Sequence, residues 1–238
     1  TAANTALLLE TPLLLAGEPG CGKTDFAWYA ARALAQALKQ PDYATRVPLE
    51  CYIHSDTSAT ELLYQYDSLA RFADSQGRQT APAGTEVRDP RDPRNYIALE
   101  SLGRALMARE RCVLLIDEID KAPRDLSNDL LRELDQGRFA IREIPKQLTD
   151  HFPDPNDDKI ALVRDMYRPV DKNNKPLVEK PLVIVTSNAE RQLPDAFLRR
   201  CVYHYIHFPR HDELVRILRD RIDPTTLGSG WGLDATTQ

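Results

Sequence analysis

Short runs of apolar residues alternate along the chain with longer stretches in which apolar and polar residues recur at helical spacing. Apolar runs of about four to eight residues, bounded by turn residues, are typical of strands that are buried on both faces. The five clearest runs are residues 12–16, 48–54, 112–116, 181–186 and 202–208. The pattern therefore predicts an α/β protein with a doubly wound, five-stranded parallel sheet flanked by helices.

Helical periodicity is clear between these runs, at residues 23–39, 96–111, 126–136 and 212–222. Ser58 and Glu61 also have the spacing of a capping box, which predicts the start of another helix. Large apolar residues follow at positions suited to one face of that helix packed on the sheet: Leu62, Leu63, Tyr64, Tyr66, Leu69 and Phe72. The alternative is that the three aromatic residues among them face a pore.

Two polar stretches that contain prolines, at about 74–95 and 145–180, interrupt the alternation of strands and helices. Segments this long in a compact domain are usually functional insertions or mobile loops. Both alternatives remain open from the sequence alone.

Composition narrows the class of protein. The 238 residues are 42% hydrophobic and carry 31 basic and 36 acidic side chains, a net charge of −5. This balance excludes a disordered chain and argues against electrostatic binding to the nucleic-acid backbone as the main activity. No apolar run is long enough to span a membrane.

The four scattered cysteines form no disulfide framework, so we expect a cytoplasmic setting. Because the chain starts at Thr1 instead of methionine, we expect it to be a segment of a longer protein.

The segment after the first predicted strand matches the pattern G-x-x-x-x-G-K-[ST] at every fixed position: Gly17, Glu18, Pro19, Gly20, Cys21, Gly22, Lys23 and Thr24. The glycines let backbone N–H groups turn inward around a polyphosphate, at the positive end of the next helix. Lys23 would reach the β- and γ-phosphates, and the hydroxyl of Thr24 would bind Mg²⁺. Asp25 completes the residues expected to bind the nucleotide. We interpret Cys21 as a small filler at a variable position, the alternative being a redox-sensitive thiol.

An acidic pair follows the third predicted strand. Asp117 and Glu118 come directly after residues 112–116, and ligands of open α/β sheets bind at the carboxyl ends of the strands. We predict that Asp117 holds the magnesium shell and that Glu118 polarises the attacking water. Asn188, just beyond the fourth predicted strand, is placed to contact the γ-phosphate and the water from the other side.

Arg199 and Arg200 end a short predicted helix before the last strand. An arginine supplied by a neighbouring molecule commonly stabilises the charge of a transferring phosphoryl group. The alternative is a surface ion pair with Glu190 or Asp195. The remaining residues that could bind a metal are Cys201, His204, His207 and His211. We do not favour a metal site, because side chains alternate between the two faces of a strand and these residues would not point to one place.

Taken together, these motifs resemble those of AAA+ ATPases and, among them, of the MoxR family. The resemblance spans residues 9 to about 208. It rests on the phosphate loop, on residues 114–123, on the Thr-Ser-Asn run at 186–188, and on residues 193–201. The first motif is common to all P-loop proteins, whereas the D-E-I-D-K-A-P run and the two later runs are much narrower.

The resemblance implies an AAA+ P-loop NTPase fold and a homo-oligomeric, hexameric ring with ATP and Mg²⁺ bound between subunits. Carried over by position, it gives Walker A residues Lys23 and Thr24, Walker B residues Asp117 and Glu118, sensor 1 at Asn188, and an arginine finger at Arg199 or Arg200. We prefer Arg200, which stands directly before the final strand. The two polar stretches sit where the family carries insertions and are candidates for contacts with substrate or partner.

We expect the helical lid of AAA+ proteins to be largely missing here, as well as most of the adenine-contacting segment before the first helix. We therefore expect an α/β ATPase core over residues 1–222, and a linker or the start of an incomplete lid over residues 223–238.

The leading hypothesis is ATP hydrolysis that remodels or activates a partner protein, in a chaperone-like role. The family resemblance suggests a partner with a von Willebrand factor A domain. One alternative is an ATP-driven motor or loader that acts on nucleic acid, which the net charge of −5 does not favour. Another is a nucleotide-gated assembly scaffold with little turnover, against which Glu118 and the two arginines argue.

Overall fold

A computed structural model describes residues 1–77, 88–148, 150–173 and 175–221. The strands are β1 (Leu13–Gly17), β2 (Leu49–Tyr52), β3 (Tyr64–Tyr66), β4 (Ile97–Leu99), β5 (Val113–Asp117), β6 (Arg138–Ala140), β7 (Pro153–Asp154), β8 (Asp157–Ala161), β9 (Asp165–Tyr167), β10 (Leu182–Ser187) and β11 (Val202–Ile206). The helices are α1 (Ala2–Leu9), α2 (Lys23–Ala37), α3 (Ala59–Leu63), α4 (Ser68–Gly77), α5 (Ser101–Met107), α6 (Arg124–Gln136), α7 (Asp195–Leu198) and α8 (His211–Arg221).

A five-stranded sheet with the order β11-β1-β10-β5-β2 forms the centre of the fold. All four pairings are parallel. Each strand corresponds to one of the five apolar runs, so the predicted doubly wound sheet is confirmed. The buried strands β1, β5 and β10 lie in the middle, which explains why their sequences are apolar without alternation.

Helices cover both faces of the sheet. Leu13 and Leu15 of β1 point to the face that α1 and α2 cover, where they pack with alanines of α2 such as Ala27. Leu14 points the other way, into a larger core with Leu102 of α5 and residues of α6. This division follows from the alternation of side chains along a strand.

Three of the four periodic stretches form helices close to the predicted bounds: α2, α6 and α8. Gly137 ends α6 in the left-handed conformation, with φ of 60°, and its N–H bonds to the carbonyl of Glu133. The prediction for 96–111 is wrong at both ends: helix α5 ends at Met107, and the first part is not α-helical either. There Ile97–Leu99 is strand β4, because Ile97 and Leu99 are buried in alternation and pair with β3, and the helix begins only at Ser101.

The predicted capping box is present, but the helix that it opens is short. The hydroxyl of Ser58 accepts from the N–H of Glu61 at 3.3 Å, and the Glu61 carboxylate accepts from the N–H of Ser58 at 3.1 Å. Helix α3 then ends at Leu63, and Tyr64–Tyr66 becomes strand β3, antiparallel to β4. The single packed helix predicted from Leu62 to Phe72 is therefore wrong.

The aromatic and aliphatic residues of that segment separate into two environments. Leu62, Leu63 and Tyr64 are buried, whereas Leu69 and Phe72 on α4 are 80% and 64% exposed. Their exposure contradicts the expectation that they pack on the sheet. Helix α4 is fastened elsewhere: the Tyr96 hydroxyl donates to Asp74 at 2.8 Å, and Arg71 Nε donates to the carbonyl of Pro90 at 2.8 Å.

The described parts of the two polar stretches pack against each other. Arg94, which is 3% exposed, forms ion pairs with Asp92 at 2.7 Å and with Asp150 at 2.9 Å. Its guanidinium also lies 4.7 Å from the centre of the Phe152 ring. Further along, the buried Asp154 accepts from the N–H of Leu99 at 2.8 Å. We call this assembly of residues 88–99 and 150–157 the insertion clamp.

Strands β6 and β9 pair antiparallel, as do β7 and β8, so the second polar stretch has secondary structure of its own. Residues 78–87 of the first stretch and the linker or lid expected at 223–238 lie outside the described residues.

Candidate functional site

The phosphate loop connects β1 to α2 in a conformation that needs its glycines. Gly22 precedes the helix with φ of 92°, a region that side chains disfavour. At Gly17 the constraint is space, because an added Cβ would lie 2.4 Å from the carbonyl oxygen of Ile206 on β11. Both fixed glycines of the motif are thus required by the backbone around them.

Lys23 is buried at the base of this loop, with 7% of its surface exposed. Its Nζ donates to the carbonyl oxygens of Gly17 at 2.8 Å and Glu18 at 2.9 Å. Cys21 is also buried, and its Sγ lies 3.9 Å from the same Nζ. The ammonium group is therefore held against the loop, next to the N-terminal turn of α2, where two positive sources attract an anion.

Thr24 and Asp117 come together at the carboxyl edge of the sheet. The hydroxyl of Thr24 donates to Oδ1 of Asp117 at 3.3 Å. A hydroxyl and a carboxylate are hard oxygen ligands, the kind that Mg²⁺ takes while keeping several waters. These two side chains therefore fit a hydrated Mg²⁺ that also binds phosphate oxygens.

Glu118 follows Asp117 in a left-handed backbone conformation, with φ of 58° and ψ of 46°. For a residue with a Cβ this conformation costs about 1 kcal/mol. Its side chain, 40% exposed, accepts a hydrogen bond from Nζ of Lys121 at 2.6 Å. That hydrogen bond raises the pKa of Lys121, so the Glu118 carboxylate faces a firmly charged ammonium group.

Thr186, near the end of β10, links the two acidic residues to the neighbouring strand. Its hydroxyl donates to Oδ1 of Asp117 and accepts from the N–H of Glu118 at 2.9 Å. The side chain is 1% exposed. Sequence reasoning gave this threonine no role, although its position opposite the acidic pair follows once β5 and β10 are paired.

Asp120 links the two strands in the opposite sense, because it follows β5 and binds the backbone that follows β10. This carboxylate, on a residue 3% exposed, accepts from the N–H of Asn188 at 3.4 Å and from the N–H of Glu190 at 3.0 Å. It therefore fixes the loop that carries Asn188. The second aspartate of the D-E-I-D run was the available signal, but its partners could not be identified from one sequence.

The phosphate loop, the acidic pair, Thr186 and Asn188 surround one cavity of about 290 Å³, which Cys21 and Asp120 do not line. Its lining consists of Pro19, Gly20, Gly22, Lys23, Thr24, Asp25, Asp117, Glu118, Thr186 and Asn188. The structure thus brings together the loop, the acidic pair and the amide that were predicted to share a ligand. A larger cavity of about 720 Å³ lies between α3, α6 and strands β6 and β9, but it lacks this grouping of phosphate loop and carboxylates.

The two predicted finger arginines do not line this cavity. Both follow α7 and are exposed, and Nε of Arg200 lies 3.8 Å from a carboxylate oxygen of Asp135. That ion pair differs from the surface pairs with Glu190 or Asp195 considered above. Both side chains of the Arg200–Asp135 pair are more than half exposed, so the contact is weak.

Among the described residues no group of three or more His, Cys, Asp or Glu could hold a metal ion. In the same part of the chain no helix is both long and apolar enough to cross a membrane.

A parallel α/β sheet with a phosphate loop after its first strand and carboxylates beyond a neighbouring strand defines a P-loop nucleotide-binding protein. The family described as AAA domain (dynein-related subfamily) matches residues 12–201, most of the chain. The chain therefore belongs to this AAA+ family, whose domains in general bind nucleotide and hydrolyse ATP.

No curated protein matches the chain. Among solved structures it is similar to a cryo-electron-microscopy reconstruction of Hsp104 in its closed state with ATPγS and FITC-casein. The TM-score is 0.42 and the identity 16%, over 92% of this chain and 34% of that chain. The chain thus spans about a third of the length of that structure's chain.

Proposed function

We propose that this chain is the ATPase core of a MoxR-type AAA+ protein that hydrolyses ATP to remodel or activate a partner protein. The observation that carries the proposal is the convergence of Lys23, Asp117, Glu118 and Asn188 on one cavity at the carboxyl edge of the sheet. The cytoplasmic setting, the use of Mg²⁺ and a hexameric ring belong to the same proposal.

Each residue of the cavity has a chemical task in this proposal. Lys23 and the N–H groups of the loop bind the β- and γ-phosphates. Thr24 and Asp117 hold Mg²⁺, which supplies charge neutralisation for the phosphates when bound. Glu118 orients the attacking water and accepts its proton, and Asn188 positions the γ-phosphate from the side of β10.

The hydrogen bonds that hold these residues in position support the assignment. Thr186 fixes Asp117 and the backbone of Glu118, and Asp120 fixes the loop of Asn188. Preorganised groups of this kind stabilise a transition state without having to rearrange during the reaction. The exposed arginines that follow α7 are available to a neighbouring subunit, which is the proposed role of Arg200, or else Arg199.

We place the partner contact on α4. Leu69 and Phe72 are three residues apart, so they lie on the same face of this helix, and both are largely exposed. An apolar helix face next to the insertion clamp suits a protein partner. The choice of a von Willebrand factor A domain as partner rests on the MoxR resemblance of the D-E-I-D-K-A-P run.

The test is phosphate release by the full-length protein carrying Glu118→Gln. We expect turnover to fall about 10²-fold or more while ATP binding persists, because the amide cannot accept the proton. The matched control is Glu110→Gln, which removes a carboxylate 54% exposed and paired with Arg46, away from the cavity. It should leave turnover unchanged. Unaltered hydrolysis in Glu118→Gln would contradict the proposal.

A further inference from the structure

The polar ends of β5 and β10 fix the direction in which a nucleotide runs through the site. Asp117, Glu118 and Asn188 receive the γ-phosphate in the proposed function, and they all lie on one side of β1. We therefore expect the rest of the nucleotide to extend along the sheet edge to β1 and beyond it, across strands that are about 4.8 Å apart. The sheet order β11-β1-β10-β5 places β11 on the opposite side of β1.

An exposed aromatic ring stands at that end of the site. Phe208 follows β11 by two residues, at its carboxyl end, and is 47% exposed. Its Cε2 atom lies 3.9 Å from the position that a Cβ of Gly20 would occupy. Gly20 itself lines the cavity of the phosphate loop, so the ring adjoins the loop on the side away from the acidic pair.

The ring has the chemistry expected of a partner for a nucleobase. Large apolar side chains that remain half exposed beside a ligand site gain from being covered, and a base offers a flat π-face of matching size. Pro209 follows the ring directly and restricts the backbone on that side. We propose that Phe208 stacks on the base of the bound nucleotide and so supplies affinity that the phosphate loop cannot provide.

This inference rests on the proposed function, and the two can be tested separately by comparing ATP with inorganic tripolyphosphate, which has no base. Calorimetry on the full-length protein measures the dissociation constants of both. We expect Phe208→Ala to weaken ATP binding about tenfold and to leave tripolyphosphate binding within about twofold of the wild type.

Tyr203→Ala is the matched control. Tyr203 is 56% exposed on β11, the strand that precedes Phe208, but it pairs with Leu14, about three residues from the carboxyl edge where the loop begins. Its removal should change neither dissociation constant. As a direct signal, Phe208→Trp should gain fluorescence that ATP quenches and tripolyphosphate does not.

Two results would overturn the inference while leaving the proposed function intact. In one, Phe208→Ala binds ATP as tightly as the wild type, which would mean that another part of the protein covers the ring. In the other, both ligands weaken equally, which would mean that the substitution acts through the loop. A wild-type protein that binds neither ligand would instead contradict the proposed function and, with it, the inference.

Discussion

The hydroxyl of Thr186 is one oxygen atom that serves two residues of the cavity. It donates to the side chain of Asp117 and accepts from the backbone of Glu118, and it is buried. Because Glu118 has a left-handed backbone, a bond to its N–H helps to hold a conformation that the chain would otherwise disfavour. Thr186 therefore acts as a positioning residue for both acids.

Thr186→Val keeps the shape of the side chain and removes both hydrogen bonds. We expect turnover to fall about tenfold to a hundredfold and the free energy of unfolding to fall by about 1 kcal/mol, because the part-buried N–H of Glu118 loses its acceptor. ATP affinity should change by no more than about threefold, since the phosphate loop is untouched. Phosphate release, calorimetry and urea unfolding measure these three quantities.

Thr186→Ser is the control, because it retains the hydroxyl group. Its turnover should stay close to that of the wild type. Equal losses in the valine and serine variants would show that the methyl group, and not the hydrogen bonds, is responsible.

Residues whose role is set by local sequence could be predicted, and residues whose role depends on strand pairing could not. Lys23 and Asp117 could be predicted as site residues because the phosphate loop and the strand that ends in acids are each continuous in sequence. Thr186 and Asp120 act across the β5–β10 pair, over 68 or more residues of separation, so one sequence contains no signal for their partners.

At the scale of elements, the insertion clamp holds the described parts of the two polar stretches together. Arg94 is almost fully buried and bridges a carboxylate of its own segment to one of the second stretch. Hydrogen bonds from the Arg94 side chain lower the pKa of Asp150. Partial burial raises the pKa of Asp92, but the bonds from Arg94 outweigh it and hold that pKa below its ordinary value of 3.8.

Arg94→Met should lower the free energy of unfolding by about 1–3 kcal/mol, measured by urea titration. Removal of one partner from a fully buried ion pair costs about 3–5 kcal/mol, and the exposure of Asp150 reduces that cost. Arg46→Met is the matched control, because its ion pair with Glu110 is exposed on both sides and should contribute less than about 1 kcal/mol. Similar losses in both variants would contradict a special role for the clamp.

The same clamp predicts a pH dependence. Carboxyl groups whose pKa is lowered by folding bind protons more readily in the unfolded chain, so stability falls as they are protonated. The difference in unfolding free energy between wild type and Arg94→Met should be complete above the ordinary aspartate pKa of 3.8 and should shrink as the pH drops below it. A difference that stays constant down to about pH 2 would rule out this linkage.

The elements of the central sheet could be predicted because buried parallel strands are continuous apolar runs. The additions to the sheet could not. Residues 64–66 and 97–99 are three-residue strands, too short for a period of two to be told from a period of 3.6. Their mutual pairing, and not their own sequence, decides their conformation.

At the scale of the whole molecule, no arginine of the part of the chain that the structure describes lines the cavity. Arg199 and Arg200 are exposed beyond α7 and do not line it. A ring in which one subunit presents Arg200 to the cavity of the next would complete the charge distribution for phosphoryl transfer.

Arg200→Ala should lower turnover about 10³-fold while preserving ATP binding, and Arg199→Ala should cost much less. Mixing Arg200→Ala with Glu118→Gln gives a sharper test. Each variant is inactive alone, but an interface that joins the intact acids of the first to the intact arginine of the second is complete. We expect phosphate release by the mixture to exceed the sum of the separate activities.

Lys23→Ala mixed with Glu118→Gln is the control, because both changes damage the same half of the interface and no pairing repairs it. That mixture should stay inactive. Absence of recovery in the first mixture would argue that Arg200 acts within its own chain or not at all.

The insertion clamp also has a mechanical consequence. Helix α4 is tied through Asp74 and Arg71 to the segment before β4, and Arg94 ties that segment to residues 150–152. From residue 152 the chain continues to β10. On the way, β9 pairs with β6, and β6 follows α6, the helix that begins shortly after Asp120. A pulling force on Leu69 and Phe72 would be passed along these contacts toward β5 and β10, the strands that carry the proposed contacts to the γ-phosphate. Tension at this surface and a bound nucleotide would then act on the same two strands.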